Sequence, residues 1–364
     1  MNINYHSFLP HLGYGVAARG YIELIRENPV NAINWKTYQF DNQTPEHLTT
    51  AFTAPADLNF IHLTPNYIPK VFDEHCSNLA NTVFETTQLP AEWLPNLNRV
   101  DRVAVPCTWN KQVFEEAIKK PVYLLPHLCQ FKGIPPASTD TLLQLPQDQF
   151  TFLTVGTWEL RKNLEQLVDT FCRVFSKKDP VQLIIKTSEN DLSRRRYSWQ
   201  RVAYWQKTTK SLQGLMRYKR NAPSIRLLPT ILPDQTMQQL YHQCHAYVTL
   251  THGEGWGMGA YEAAWFGKPV IATGFGGYLD FLKEDNSFLV PYKLIPYKKN
   301  PWDSSDRSKH YYAQPDIKRA EEYMRHVYHA YGESVQKGHR LSEYVHLNLN
   351  RQKIKEHLGA FLST

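Results

Sequence analysis

Apolar residues along the chain follow two repeating patterns, short runs that suit buried strands and longer stretches with helical spacing. A strand is predicted at residues 3–8, and the apolar positions after Gly15 predict a helix that follows it. Further strands are predicted at 58–63, 81–85, 102–105, 122–125, 150–155, 181–186, 246–250, 269–273 and 288–291. Helical patterns lie between several of them, which is typical of an α/β protein with parallel sheets.

Two domains are expected because 364 residues exceed one ordinary core. Residues 133–149 are rich in Pro, Ser, Thr and Gln and have little periodicity, which predicts a linker. We therefore expect a Rossmann-like, doubly wound domain at 1–132, a second such domain at 150–341 and a tail at 342–364. Amphipathic helices are predicted at 317–331 and 342–362.

Composition is that of an ordinary globular protein, with 42% hydrophobic and 21% charged residues. No stretch approaches the roughly 18 apolar residues of a membrane-spanning helix, and the amino terminus has no signal-peptide pattern, so a cytoplasmic location is expected. The five cysteines have no CxxC spacing and are expected to be reduced. The net charge of +7 suits a partner that carries phosphate.

The segment 249–277 carries the most chemical information, because it combines a strand end, a glycine-rich turn, a helix and another strand. Glycines let the main chain approach a ligand, and the N–H groups at a helix start attract an anion such as pyrophosphate. Glu254 lies in the turn and Glu262 in the helix, and carboxylates accept hydrogen bonds from sugar hydroxyls. A ligand with a sugar at one end and a ribose at the other fits this arrangement.

The stretch EGWGMGAYE, residues 254–262, resembles the Glu-x7-Glu signature of retaining family 4 glycosyltransferases with the GT-B fold. The resemblance implies two Rossmann-like domains facing across a cleft, with a last helix that crosses back to the first domain. It implies that Glu254 contacts the transferred sugar and Glu262 the ribose. It also implies donor contacts through the main chain of Gly255, Trp256, Gly257 and Met258.

A second segment, VGTWELRKNLEQLVDTF at 155–171, resembles the family's VGRLxxxKG segment. Lys162 matches the lysine that neutralises the donor diphosphate, and a cation there stabilises a departing nucleotide. Thr157 stands where the family has arginine, so either Arg161 substitutes or Lys162 is the one strong cation. The alternative for Arg161 is a solvated residue of the first helical turn.

In the first half, Gly13 and Gly15 resemble the family's glycine loop near the donor phosphates, although a lone GxG is weakly specific. Glu85 stands where many relatives have a strand-end histidine facing the transferred sugar. Two interpretations of Glu85 are equally open: a catalytic carboxylate that binds the acceptor hydroxyl or stabilises positive charge, and an ordinary strand-end residue.

Four further residues are candidates by position. His62 and His252 follow strands, and the alternative for both is a hydrogen-bonded structural role. Thr230 and Ile231 lie where relatives hold the nucleobase with main-chain groups, and the alternative is a plain strand and turn. No Asp-x-Asp pair occurs, so we expect no metal site and no cofactor, with a UDP- or GDP-linked sugar as substrate.

The segment 194–220 collects many Lys and Arg residues together with Tyr and Trp. It resembles an insertion that could contact an anionic membrane or a phosphorylated lipid acceptor. The alternative, which we favour, is a solvated helix pair with its aromatic residues in the core.

The sequence therefore predicts a retaining, metal-independent glycosyltransferase that acts on a glycan, lipid-linked, protein or small-molecule acceptor. A non-catalytic binding or scaffold subunit of the same fold is the first alternative, because fold does not guarantee function. A nicotinamide dehydrogenase is disfavoured because the first glycine pair lacks the GxGxxG pattern. Nucleic acid is not an expected partner, since no recognised nucleic-acid-binding motif occurs.

Overall fold

The computed structural model describes residues 1–9, 13–39, 42–49, 51–131, 133, 145–146, 148–197, 203–299 and 309–363. Two compact units make up the chain. Unit 1 consists of Met1–Gln130 together with Asn348–Thr364, and unit 2 of Phe131–Leu347. Most of the predicted linker at 133–149 lies outside the described residues.

Unit 1 contains a seven-stranded sheet. Its strands are β1 (Asn2–Phe8), β2 (Ala32–Gln39), β3 (Asn42–Thr49), β4 (Leu58–His62), β5 (Ser77–Asn81), β6 (Arg102–Val105) and β7 (Val122–Leu124). The order is β3-β2-β1-β4-β5-β6-β7, and every neighbouring pair is parallel except β2 and β3. The prediction of a strand at 81–85 was wrong, because the chain leaves the sheet after Asn81.

The helices of this part of the chain are α1 (Gly13–Arg26), α2 (Ile68–Val71), α3 (Leu94–Leu97) and α4 (Thr108–Glu115), with short 3-10 helices at Pro65–Tyr67 and Ala91–Trp93. Gly13 and Gly15 lie in the first turn of α1, so the expectation of a glycine loop before the helix was wrong. Two apolar clusters cover the two sheet faces, one against α1 and one against α2 to α4.

Unit 2 contains a six-stranded parallel sheet and two antiparallel hairpins. Its strands are β8 (Phe150–Val155), β9 (Val181–Lys186), β10 (Asn190–Tyr197), β11 (Ala203–Lys207), β12 (Ser224–Leu228), β13 (Ala246–Thr249), β14 (Val270–Thr273), β15 (Phe288–Val290), β16 (Tyr292–Pro296) and β17 (Tyr311–Pro315). The sheet order β12-β9-β8-β13-β14-β15 is that of a doubly wound dinucleotide-binding fold.

The helices that follow are α5 (Leu164–Val174), α6 (Thr208–Met216), α7 (Asp234–Gln243), α8 (Met258–Trp265), α9 (Ile317–His329), α10 (Tyr331–Asn348) and α11 (Arg351–Ser363), with 3-10 helices at Leu160–Lys162 and Gly277–Asp280. The pattern of α5 is typical of a helix against a core, because Leu164, Leu167, Val168 and Phe171 are all buried.

The predicted helix at 342–362 is two helices, since the helical pattern is interrupted at Leu349 and Asn350. The first of them, α10, begins at Tyr331 and lies mainly in unit 2, whereas α11 belongs to unit 1. Ile354, Leu358 and Phe361 of α11 are buried in the cluster that also covers α1. Among the helices described, none is both long enough and apolar enough to span a membrane.

The described residues of the basic segment 194–220 include the end of β10, the paired strand β11 and the helix α6, so the expected helix pair was wrong. Three of its cations pair with carboxylates of unit 2: Arg194 with Glu165 at 2.8 Å, Lys207 with Glu189 at 2.7 Å and Lys219 with Asp169 at 2.8 Å. These pairs are consistent with a solvated surface, and contact of this segment with an anionic membrane stays a prediction.

Candidate active site

The turn between β13 and α8 is fixed by contacts between main chains. Gly257, which precedes α8, has φ 85°, a left-handed conformation that favours glycine. The amide of Gly277 donates to the carbonyl of Glu254 at 2.7 Å. A Cβ on Gly276 would lie 2.5 Å from the same carbonyl oxygen, so the loop after β14 accepts only glycine there and holds the turn in place.

Glu254 lies in this turn with its side chain 11% exposed. Lys162 Nζ donates to Glu254 Oε1 at 2.5 Å, and Arg161 Nη1 lies 3.4 Å from Oε2. Burial raises the pKa of Glu254, but the charges of Lys162 and Arg161 outweigh burial and hold that pKa below its ordinary value. Glu254 is therefore ionised at neutral pH and suited to accept hydrogen bonds rather than to donate a proton.

Arg161 also joins the loop before α5 to the loop before α8. Its Nη1 donates to the carbonyl of Gly253 at 2.8 Å, and its own carbonyl accepts from the amide of His252 at 2.8 Å. A third bond, from Nη2 to Glu159 at 2.9 Å, fixes the guanidinium. Because its side chain is 17% exposed and bonded on both sides, the interpretation of Arg161 as a solvated residue was wrong.

Glu262 lies half-buried in α8, and its charge acts on side chains that the sequence analysis missed. Burial lowers the pKa of Lys186, and Glu262 opposes that shift. Burial and then the charge of Glu262 raise the pKa of Tyr241, and burial followed by the charge of Glu254 raises the pKa of Tyr247. Lys186 could have been found from the sequence, because it directly follows the apolar run at 181–185.

The remaining predicted residues of the turn are expected to contact the donor through the main chain, and this stays a prediction. These residues are Gly255, Trp256, Gly257 and Met258. Trp256 is 2% exposed, and its ring packs against Tyr261 and Phe281 with centroids 5.3 Å away in both cases. Its indole is part of the core, so a donor contact at Trp256 would involve backbone atoms.

His252 is held by one hydrogen bond of its imidazole and by a ring contact. Its Nδ1 lies 2.6 Å from the carbonyl oxygen of Ala313, and its ring centroid lies 4.4 Å from that of Tyr312. Burial lowers the pKa of His252, and the bond to Ala313 opposes that shift. The geometry fits the structural alternative, and donor binding by His252 stays a prediction.

Thr230 and Ile231 follow β12 at the same carboxyl edge of the sheet, one strand beyond β9. Both are exposed, Ile231 by 68%. This position leaves their main-chain groups accessible, and their proposed role in holding the nucleobase stays a prediction.

The candidates of unit 1 lie near the carboxyl ends of β1, β4 and β5. Gly13 is exposed and Gly15 buried. Glu85 lies half-buried in a loop four residues after β5, so its interpretation as a strand-end residue was wrong. His62 ends β4 in a buried position and contacts the hydroxyl of Tyr5 at 3.0 Å, which fits the structural alternative.

The structure therefore brings Glu254, Lys162 and Arg161 into direct contact and places Glu262 on the helix that follows. Among the residues with a described position, no group of three or more His, Cys, Asp or Glu side chains is arranged to hold a metal ion.

Residues 142–294 match the family model "Glycosyl transferases group 1". The sequence matches no curated protein.

Solved structures of low identity share the fold. Sucrose-phosphate synthase from Thermosynechococcus elongatus is 16% identical with a TM-score of 0.70, and the match covers 99% of this chain and 98% of that one. Anabaena HepE in complex with UDP and glucose is 12% identical with a TM-score of 0.65, covering 100% and 99%. Staphylococcus aureus TarM is 13% identical with a TM-score of 0.60, covering 84% of this chain but 55% of TarM. The prediction of an α/β fold with two Rossmann-like domains of GT-B type is confirmed.

Proposed function

We propose that the chain transfers a sugar from a nucleotide-sugar to an acceptor hydroxyl and that unit 2 holds the donor. The observation that carries the proposal is the contact of Glu254 with Lys162 and Arg161 beside the start of α8. The match of residues 142–294 to glycosyl transferases group 1 supports the same class of reaction.

The donor diphosphate would lie at the start of α8. The first N–H groups of a helix have no partner within the helix and favour an anion. Lys162 and Arg161 supply two positive charges on the neighbouring loop. When Lys162 binds the diphosphate, the carboxylate of Glu254 would become available to the hydroxyls of the transferred sugar, and we propose that Glu262 and Lys186 contact the ribose.

In the proposed reaction, the acceptor oxygen bonds to the anomeric carbon as the bond from that carbon to the diphosphate oxygen breaks. The electron pair leaves with the nucleoside diphosphate, whose charge Lys162 and Arg161 stabilise, and the acceptor proton passes to the departing phosphate. We propose retention of anomeric configuration from the resemblance at residues 254–262. We propose metal independence because the two cations supply the charge that a divalent ion would otherwise provide.

We propose UDP ahead of GDP as the nucleotide, since structures of HepE and TarM contain UDP. The acceptor class remains a glycan, a lipid-linked sugar, a protein or a small molecule. Gly13, Gly15 and Glu85 of unit 1 are proposed to lie on the acceptor side, with Glu85 as the carboxylate that contacts the acceptor hydroxyl.

A thermal-shift panel of UDP, GDP, ADP and their common sugar conjugates tests the proposal. A ligand that binds only the folded state adds about 2.7 kcal/mol to the free energy of unfolding at a concentration of about 100 times Kd. The added stability raises Tm. We expect one nucleotide to shift Tm and the shift to persist in EDTA. In a separate NMR measurement of the product, we expect the anomeric configuration to match that of the donor.

The control is Lys162→Ala, which should reduce the nucleotide shift when that shift is measured from the variant's own Tm without nucleotide, since the variant also loses the ion pair with Glu254. A lack of any shift across the panel would favour the alternative, a non-catalytic subunit of the same fold. A strict requirement for added metal would contradict the mechanism while leaving donor binding intact.

A further inference from the structure

A polar cavity of about 480 Å³ lies on the face of the unit 1 sheet that carries α2. It is lined by Asn4, His6, Lys36, Tyr38, Asn59, Lys70, Val71, Phe72, Asp73, Glu74, His75 and Arg99. Its volume falls in the range of about 300 to 1,000 Å³ that is usual for small-molecule sites. The lining is mostly polar, which is unusual for strand positions that face the interior of a doubly wound domain.

The floor is built from a row of asparagines that crosses four neighbouring strands. Asn34 of β2, Asn4 of β1, Asn59 of β4 and Asn78 of β5 are partners in register. The outer two are bonded to loops, since Asn34 Oδ1 accepts from the amide of Ala51 at 2.7 Å and Asn78 is bonded to 73–76. The inner two, Asn4 and Asn59, line the cavity.

Asn59 is 1% exposed. The nitrogen of its side-chain amide forms hydrogen bonds, whereas the oxygen does not. Its Nδ2 donates to the carbonyl of Val71 at 2.6 Å and to Asn78 Oδ1 at 2.8 Å, which fixes the orientation of the amide. Its Oδ1 has no hydrogen-bond partner among the described residues. A buried acceptor left in this way costs about 1 to 3 kcal/mol. The oxygen itself is buried, so a ligand hydroxyl that reaches it through a small shift of the cavity floor would be stabilised.

Three cations line the walls: Lys36, Lys70 and Arg99. No ion pair joins any of them to another residue that the structure describes. Two of them are held by aromatic rings, because the Arg99 guanidinium lies 3.9 Å from the ring centroid of Phe72 and Lys70 Nζ lies 4.9 Å from that of Tyr67. Among the described residues, these two cations are therefore held by ring contacts and not by ion pairs.

The two carboxylates of the lining have other partners. Asp73 Oδ1 accepts from the amide of His75 at 3.0 Å, and burial followed by the charge of Asp73 raises the pKa of Cys76 to about 11. Glu74 lies 3.9 Å from the imidazole of His75, with both side chains 80% exposed. A ligand anion would therefore meet the cations in preference to these carboxylates.

The floor of the cavity at Asn4 and Asn59 lies away from the edge where the acceptor is expected, and His6 and Tyr38 extend the lining toward that edge. Asn4 and Asn59 are the third residue of β1 and the second of β4, near the amino ends of these strands. At about 3.3 Å per residue, Asn4 lies roughly 13 Å along β1 from Phe8, where the strand reaches its carboxyl end. Gly13, Gly15 and Glu85 all follow carboxyl ends.

We propose that this cavity is a second binding site of the protein, which takes a small sugar phosphate. The phosphate group lies against Lys36, Lys70 and Arg99, and the hydroxyls of the sugar bond to the amides and imidazole of the floor. The proposal is independent of the nucleotide-sugar site in unit 2.

The test is isothermal titration of the full chain with glucose 6-phosphate, glucose and inorganic phosphate as probes. We expect glucose 6-phosphate to bind at least about tenfold more tightly than inorganic phosphate, and glucose alone to give no heat. The double variant Lys36→Met, Arg99→Met should weaken glucose 6-phosphate binding by about a hundredfold, since two charge-assisted bonds are lost.

Two matched variants make the result specific. Lys119→Met removes an exposed charge elsewhere in unit 1, and Lys162→Met removes a phosphate-binding cation from unit 2; both should leave the affinity unchanged. The unfolding midpoint of the double variant checks that it is folded. Three results would overturn the proposal. Glucose 6-phosphate would still bind the double variant, its binding would be lost with Lys162→Met, or inorganic phosphate would bind with the same affinity.

Discussion

Lys162 combines a structural contact with a proposed catalytic task. Its Nζ is bonded to Glu254, whose pKa it helps to keep low, and it lies beside the helix start where the diphosphate is expected. Lys162→Ala should lower kcat by about 10² to 10³, the usual cost of losing one group that stabilises charge in the transition state. Steady-state kinetics with the identified donor measures this effect.

The matched control is Lys178→Ala, which removes an exposed lysine from the same unit and should leave kcat unchanged. If Lys162→Ala kept full activity, the departing nucleotide would have to be stabilised by Arg161 or another cation.

Single residues differed in how far the sequence could predict them. Lys162 and Glu254 lie in motifs with fixed spacing, so their proximity could be inferred although 92 positions separate them. The environment of Arg161 could not, because it depends on the carbonyl of Gly253 in a different loop. The influence of Glu254 on Tyr247 could not be predicted either, because it depends on a distance that no local sequence pattern encodes.

At the scale of elements, α11 shows how a helix far along the chain can complete a core. Phe361 is fully buried, and its ring centroid lies 5.6 Å from those of Phe60 and Tyr123. Phe361→Ala should therefore lower the free energy of unfolding of unit 1 by about 3 to 5 kcal/mol. Chemical denaturation followed by tryptophan fluorescence measures the change.

Lys353→Ala, on the exposed side of the same helix, is the control and should change stability by less than about 0.5 kcal/mol. A small effect of Phe361→Ala would mean that α11 is only loosely attached to unit 1.

Elements were predicted well where apolar periodicity was strong and poorly elsewhere. The buried strands β4, β8 and β9 and the helix α5 follow from their apolar runs. The strands β2 and β10 carry polar residues at many positions, so neither stood out as an apolar run. The sequence has helical spacing on both sides of the break between α10 and α11, so the pattern alone does not predict the break. The break occurs where the chain passes from contacts within unit 2 to contacts within unit 1.

At the scale of the whole molecule, acid should act unevenly on the two units. His127 of unit 1 is buried, with its Nδ1 2.8 Å from the hydroxyl of Tyr21, and burial lowers its pKa to about 3. Burial and then the charge of His127 also lower the pKa of His62 well below its ordinary value. In the unfolded chain both imidazoles take up a proton near pH 6.5, whereas in the folded state they stay neutral to a much lower pH. The folded state therefore has its full stability above pH 6.5 and loses stability as the pH falls toward 3.

In this pH window, each of the two histidines should lower the free energy of unfolding by about 1.4 kcal/mol per pH unit. We expect chemical denaturation of the full chain at a series of pH values from 7 to 4 to show two transitions. As the pH falls, the midpoint of the unit 1 transition should move to lower denaturant concentration before that of unit 2. His127→Gln should reduce the slope with pH, whereas His75→Gln, at an exposed imidazole, should not. Identical slopes in all three proteins would contradict the assignment.

The division of unit 1 between the two ends of the chain has a consequence for biosynthesis. The ribosome makes the seven strands of its sheet first, then all of unit 2, and only then α11. Until α11 emerges, the face that receives Ile354, Leu358 and Phe361 is exposed as an apolar surface. Unit 2 can fold before α11 is made, whereas the core of unit 1 is completed only by α11, and chaperones that recognise apolar surface should bind the nascent protein on this face.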